Sequence, residues 1–161
     1  MSEVQGVRLV ATNAAEPGLF ELFAGVVERG EGFPQTAPLD RGEYDEMWGH
    51  AAVVVTAHQG DELVGAAYLK PNGPGLGGHI ANAGYVVAPD RRGRGIGRWL
   101  VEDTIARAPD LGFDAIQFNF VFESNPARRL YERLGWVEVG RIPQAIGDQA
   151  AFVYWRAVGP G

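Results

Sequence analysis

The sequence predicts a mixed α/β (α+β) fold in one domain spanning residues 1–161. Three observations carry this expectation. Short β-branched or alternating runs are interleaved with stretches at helical spacing. Glycine and proline punctuate the junctions, and no segment repeats at a fixed period. With 161 residues, 46% of them hydrophobic, the chain suits one core of ordinary size. It has no cysteine, which excludes disulfides, thiolate zinc sites and a cysteine nucleophile, and suits a reducing, cytoplasmic setting. The opening "MSEVQGVRLV" lacks a basic end followed by an apolar run, and no stretch approaches a bilayer span. The expectation is a soluble protein without a membrane partner. A formal net charge of −6 argues against broad nucleic-acid binding, which needs many phosphates neutralised.

"VRLVAT" (7–12) reads as the first strand, and "PGLFELFAGVVERG" as a helix stopped at Gly30. "LDRGEYDEMWG" reads as a short second helix. "AAVVVTA" and "ELVGAAYLK" flank "HQGD", whose glycine suits a hairpin turn, so these runs are expected as antiparallel neighbours. After the loop "PNGPGLGG", the run "HIANAGYVVAP" reads as a strand closed by its proline. Ile96, Leu100, Val101, Ile105 and Ala108 then recur at helical spacing up to Pro109. "FDAIQFNFVF" alternates, placing Ile116, Phe118, Phe120 and Phe122 on one face and Ala115, Gln117, Asn119 and Val121 on the other. In "SNPARRLYERLGW", Asn125 is expected to cap a helix with Pro126 at its first position and Gly135 as terminator. "GWVEVGR" and "AAFVYWRAV" close the chain as strands.

The turn "RRGRGIGRWL" (91–100) joins a strand to a helix and packs four arginines and three glycines into ten residues of an acidic chain. Helix starts leave backbone N–H groups unpaired, and glycines let a bulky oxyanion approach them. Arg91, Arg92, Arg94 and Arg98 add positive charge suited to more than one phosphate. The nucleoside-triphosphate loop is excluded because Gly97 is followed by Arg98 and Trp99 rather than lysine and a hydroxyl residue. A dinucleotide fingerprint would need glycine at position 98. A third template remains: arginine or glutamine, two residues, glycine, one residue, then glycine or alanine. Arg92, Gly95 and Gly97 fill it.

On these residues the sequence resembles the GNAT N-acetyltransferase superfamily. "VVAPDRRGRGIGRWL" is similar to its cofactor motif and "ESNPARRLYERLGW" to its second motif, in the family's order. The resemblance implies a central mixed, largely antiparallel sheet, splayed at the cofactor site and flanked by helices. It implies acetyl-CoA as cosubstrate, held by Arg92, Gly93, Arg94, Gly95, Ile96, Gly97, Arg98 and Asn125, with the pantetheine arm between strands at Tyr85, Val86 and Val87 and at Phe118 to Val121. By the same implication a neutral amine attacks the acetyl carbonyl, backbone N–H groups of the Val86–Val87 region polarise its oxygen, and Tyr131 protonates the departing thiolate.

No metal is expected, since His50, His58 and His79 show no ligand spacing; His79, beside the glycine loop, is a candidate substrate contact. "HIANAGYVV" contains no carboxylate to serve as base, which leaves water or an amine of low pKa, with Asn82 and Asn119 positioning the substrate. Glu31, Tyr44, Asp45 and Glu123 are further candidates for lining the pocket. Asn82, Asn119, Asn125 and "GFPQ" also resemble the fungal proline-analogue (azetidine-2-carboxylate type) N-acetyltransferases, in which corresponding asparagines hold a small imino acid. The acceptor is therefore expected to be a small-molecule amine such as an amino acid or proline analogue. A protein amino terminus or lysine, a toxin or antibiotic, and a non-catalytic acyl-CoA binding module stay open. "FVYWRAV" offers a strand for pairing across a homodimer.

Overall fold

A computed structural model describes residues 3, 4 and 6–159. Its strands are β1 (Glu3–Val4), β2 (Val7–Thr12), β3 (Val53–Gln59), β4 (Glu62–Pro71), β5 (Ile80–Val87), β6 (Ala115–Phe122), β7 (Val137–Ile146) and β8 (Gln149–Ala157). The longer helices are α1 (Leu19–Glu28) and α3 (Ile96–Arg107); α2 (Arg41–Tyr44) and α4 (Arg128–Arg133) are short. One eight-stranded sheet runs β1-β2-β3-β4-β5-β6-β8-β7. Every pairing is antiparallel except β5 with β6.

Strand alternation sends successive residues to opposite faces, and the helices divide accordingly. Leu19, Phe23, Val26 and Val27 of α1, with Tyr44 and Trp48, pack on Val54, Ala66, Tyr68 and Val86. On the other face, Ile96 and Leu100 of α3 cover Val55, Ala57, Val64 and Ala67. Val101 and Tyr131 belong to a third cluster with Phe118, Trp136, Phe152 and Tyr154. The hairpin turn falls at Gly60–Asp61, between Gln59 and Glu62, as "HQGD" implied. Asp40 caps α2, accepting from Glu43 N at 3.1 Å, and the helix runs on as one wider turn, Asp45–Gly49.

Three expectations change. The Phe-rich alternation does not survive along β6: Phe118 faces Tyr154 and Val121 faces Phe152, so β6 spends one residue more than β8. This bulge returns Val121 to the face of Phe118 and leaves Phe120 half-exposed. The last helix starts at Arg128, not Pro126; Asn125 closes a preceding turn, its Oδ1 accepting from Ala127 N at 2.9 Å. Finally, β8 is flanked by β6 and β7, so "FVYWRAV" has no free edge to offer a second copy.

Candidate active site

The parallel pairing of β5 and β6 lasts for three residue pairs, Ile80–Ala115, Ala81–Ile116 and Asn82–Gln117. Beyond it β5 stays on β4 as far as Val87, while β6 stays on β8 to Phe122. The strands diverge, and aromatic rings stand where they part. The Phe118 ring lies 5.9 Å from Tyr85 and 4.5 Å from Tyr131. Tyr85 is anchored on the α3 side, its hydroxyl 2.7 Å from Thr104 Oγ1. Tyr131 is buried, which raises its pKa beyond the ordinary tyrosine range.

Backbone direction decides which groups of β5 meet the opening. Ala88 N donates to Val64 O at 2.8 Å and Ile80 O accepts from Asn72 N at 2.8 Å. Even-numbered residues of β5 therefore face β4, and Ala83, Tyr85 and Val87 present N–H and C=O to the opening. This corrects the placement of Val86. Its backbone is turned into the β4 ladder opposite Ala66 and its side chain is 3% exposed in the core.

The arginine turn lies between Val87 and α3. Gly93 and Gly95 adopt φ of 75° and 83°, a region costly for other L-residues, and a Cβ at either would meet nothing within 4 Å. The cradle is open. Gly95 precedes α3 without a side-chain cap, so the N–H groups of Ile96, Gly97 and Arg98 have no carbonyl four residues back in the helix. The arginines differ in their commitments. Arg91 is tied to Gln59 at 2.9 Å and to Glu62 and Asp90 at 2.6 Å each, which makes it an anchor to the β3–β4 hairpin rather than part of the cradle. Arg98 pairs with Glu102 at 2.6 Å, and Arg94 makes no ion pair among the described residues. Arg92 grips Glu31 with both terminal nitrogens. Hydrogen bonds from Arg92, and then from Arg29, hold the Glu31 carboxyl down at about 2.

Amides form a chain on the α1–α2 face. Tyr68 Oη donates to Asn82 Oδ1 at 3.0 Å and Asn82 Nδ2 donates to Gln117 O at 3.0 Å. Gln117 Nε2 donates to Asn119 Oδ1 at 3.0 Å, and Asn119 Nδ2 to Asn72 Oδ1 at 2.6 Å. The structure thus brings Asn82 and Asn119 into one network. Tyr68, Asn72 and Gln117, absent from the sequence expectation, complete it. Tyr68 reaches Asn82 across Gly84, where a Cβ would stand 2.4 Å from the ring; the glycine is required by that close approach.

Other candidates lie elsewhere. Tyr44 is buried in the core, its hydroxyl on Ala14 O at 2.6 Å, with its pKa pushed up to about 12 by burial. Asp45 faces Arg41 at 3.8 Å on the surface. Glu123 accepts from Ala150 N at 3.3 Å beyond the opening, and His79 contacts Leu76 O at 2.8 Å. Glu31 is engaged by Arg92 and Arg29, so it is no free base. Asn125 Nδ2 sits 3.7 Å from where a Gly32 Cβ would be, which brings the segment after α1 next to it. Among the described residues no cluster of His, Asp and Glu converges as for a metal, and no helix is long and apolar enough to cross a membrane.

The profile of the Acetyltransferase (GNAT) family matches residues 24–136, a stretch that contains both the arginine turn and Tyr131. The chain belongs to the GNAT acetyltransferase family. It is 45% identical over 84 residues to the N-acetyltransferase aca1 of Schizosaccharomyces pombe, a match spanning 52% of this chain and 40% of that one. A GCN5-related N-acetyltransferase from Kribbella flavida is similar over its length: 32% identity, TM-score 0.85, covering 95% of this chain and 98% of that one. The Salmonella typhimurium protein yncA, solved with its cofactor acetyl-CoA, shares the fold at 17% identity and TM-score 0.82, over 96% and 95% of the two chains. The splayed sheet is thus a GNAT sheet, and the chain spans less than half the length of the curated relatives it matches.

Proposed function

We propose that residues 1–161 form one catalytic domain that moves the acetyl group of acetyl-CoA to the amine of a small molecule, of the amino-acid or proline-analogue class. The observation that carries this reading is the open edge of β5, which runs from the start of α3 toward the buried Tyr131 and has the amide chain beside it.

An extended amide-bearing arm fits the edge, because Tyr85 and Val87 present alternating donors and acceptors that no strand takes up. A pyrophosphate fits the start of α3, where N–H groups, Arg92 and Arg94 supply donors and charge around two open glycines. Acetyl-CoA is thereby the substrate that supplies the activated acetyl group. In this reading Gly93, Arg94, Gly95, Ile96, Gly97 and Arg98 line the phosphates and Asn125 touches the arm. The Val87 N–H takes the polarising role at the carbonyl oxygen.

Tyr131 keeps its proton across the working pH range and donates it toward the sulfur as the carbon–sulfur bond breaks; the attacking nitrogen forms the new bond to the acetyl carbon and loses its proton to water. Asn82 and Asn119 orient the acceptor without titrating.

The test is the melting temperature with and without acetyl-CoA, followed by thiol release with and without an amine. Acetyl-CoA at 100 times its dissociation constant adds about 2.7 kcal/mol of stability. A rise in melting temperature together with amine-dependent thiol release is expected. A rise without turnover would leave a binding module, and no rise would remove the cosubstrate.

A further inference from the structure

We propose that Lys70 receives an anionic group of the acceptor, a carboxylate adjacent to the amine that is acetylated. This rests on the small-amine reading above and narrows it to acceptors bearing a negative charge.

Lys70 is the only lysine in the sequence; the rest of its 14 lysine and arginine residues are arginine. It lines an open pocket of about 460 Å³ with Glu46, His50 and Pro71. In the β4–β5 ladder it stands opposite Asn82, on the face that carries the amide chain. Its ammonium lies 5.6 Å from the ring centroid of Tyr68, the residue whose hydroxyl holds Asn82. The ammonium therefore lies on the face of the sheet that carries the Tyr68–Asn82 pair, next to the last residue pair before β5 and β6 part.

The charge is not consumed by the protein. The hydrogen bond of Lys70 is a long one, 3.5 Å to the backbone carbonyl of Glu46, and Lys70 enters no ion pair among the described residues. The Glu46 carboxylate leans instead toward His50, 3.8 Å away, with both side chains well exposed. Partial burial disfavours the ammonium and lowers the Lys70 pKa, an effect Glu46 only partly offsets. A carboxylate entering the pocket would relieve that cost. A half-buried cation with its own carbonyl, an aromatic face and no ion pair among the described residues is an arrangement that favours an anion.

With one end held at Lys70, the nitrogen of a compact amino acid is directed across the β4–β5 ladder toward Asn82, whose amide is fixed by Tyr68. Asn82 then orients the amine toward the opening between β5 and β6. A neutral amine without the carboxylate leaves Lys70 unpaired. Charge is thus discriminated by a point contact on a flexible stem, which tolerates several acceptor shapes but not loss of the anion.

The experiment compares L-proline and L-azetidine-2-carboxylate with their carboxamides as acceptors, for the wild-type chain, Lys70→Met and Lys70→Arg, with acetyl-CoA titrated separately. The carboxamides have less basic amines and present more neutral nitrogen, so any preference for the acids works against intrinsic reactivity. The wild type is expected to favour the acids at least tenfold in kcat/KM. Lys70→Met should lose at least tenfold of that preference through KM, and Lys70→Arg should recover part of it.

A second readout needs no variant. Because the chain has one lysine, acetic N-hydroxysuccinimide ester labels Lys70 and the amino terminus alone, and mass spectrometry resolves the two. Proline should protect Lys70 and prolinamide should not. Equal use of acids and amides by the wild type, or equal protection by both, overturns the role of Lys70 and leaves the small-amine reading standing. Turnover of neither class while acetyl-CoA still binds overturns both.

Discussion

Tyr131 and Glu31 show how much a single environment decides. Tyr131 sits at helical spacing in the sequence as any core residue would, yet its ring lies against Phe118 beside the open edge of β5. Burial raises its pKa beyond the ordinary range, so a proton remains on it throughout neutral and mildly alkaline pH. Tyr131→Phe should lower kcat roughly 100-fold and leave the acetyl-CoA dissociation constant, read by calorimetry, within about twofold. The same burial means that the kcat profile of the wild type should show no loss attributable to this phenol up to about pH 10, the ordinary tyrosine value. Glu31 is the opposite case, a carboxylate drawn down to about 2 by Arg92 and Arg29. A depressed carboxyl contributes stability above its unfolded value, near 4.5, and loses it as pH falls toward 2. The group is about one-third exposed, so solvent screening keeps the contribution below about 1 kcal/mol. Glu31→Gln should shed that margin at pH 7 and show a smaller decline on acidification, as followed by urea unfolding from pH 6 to 3.

The elements that matter most are those that break the regular pattern. The arginine turn exists because Gly93 and Gly95 accept positive φ, which delivers the first N–H groups of α3 to open space. A valine at position 95 forces that backbone to change, and loss of the Arg92 guanidinium removes charge while freeing Glu31. The combined variant Arg92→Ala with Gly95→Val should weaken acetyl-CoA binding at least tenfold and remove about half or more of the melting-temperature rise seen at the same acetyl-CoA concentration. In β5, Gly84 holds the space for Tyr68. Gly84→Ala should cost about 1–3 kcal/mol in unfolding free energy by overpacking, and should raise the acceptor KM, because Tyr68 can no longer reach Asn82. A bulge in β6 and the shortness of the β5–β6 pairing, three residue pairs, open the sheet beyond Asn82 and Gln117.

At the scale of the molecule the sheet separates two chemistries. α3 and α4, the latter carrying Tyr131, cover the face that carries Tyr85 and Phe118. α1 and α2 cover the face that carries Tyr68 and Asn82. The opening between β5 and β6 lies between them, so in the proposed reaction cosubstrate and acceptor would approach one carbonyl from opposite sides of a single sheet. The Arg92–Glu31 clasp ties the segment after α1 to the turn before α3. Hydrogen exchange should therefore slow on acetyl-CoA binding at Tyr85, Val87 and Ile96–Arg98, and remain unchanged along β7, which lies at the far edge of the sheet. Equal protection everywhere would mean that stabilisation is global rather than seated at this edge.

Nearest-neighbour chemistry was enough to read the hairpin at "HQGD" and the helix after the arginine turn, because each depends on residues a few positions apart. A turn needs its own glycine, and a helix needs its own spacing. What spacing does not contain is register. Whether Asn82 meets Lys70, whether Tyr68 passes over Gly84, and whether the backbone of Val86 or of Val87 faces the opening all depend on how β4, β5 and β6 align. A shift of one residue would reverse each answer. Pairing of distant charges is equally invisible along the chain: Arg91 and Arg92 look alike in "RRGRG", yet one is bound to the β3–β4 hairpin and the other to Glu31. The glycine turn is written in local sequence, because a strand-to-helix turn is made of contiguous backbone. The amide network is written across β4, the loop after it, β5 and β6, because such a network is made by whichever side chains folding brings to one place.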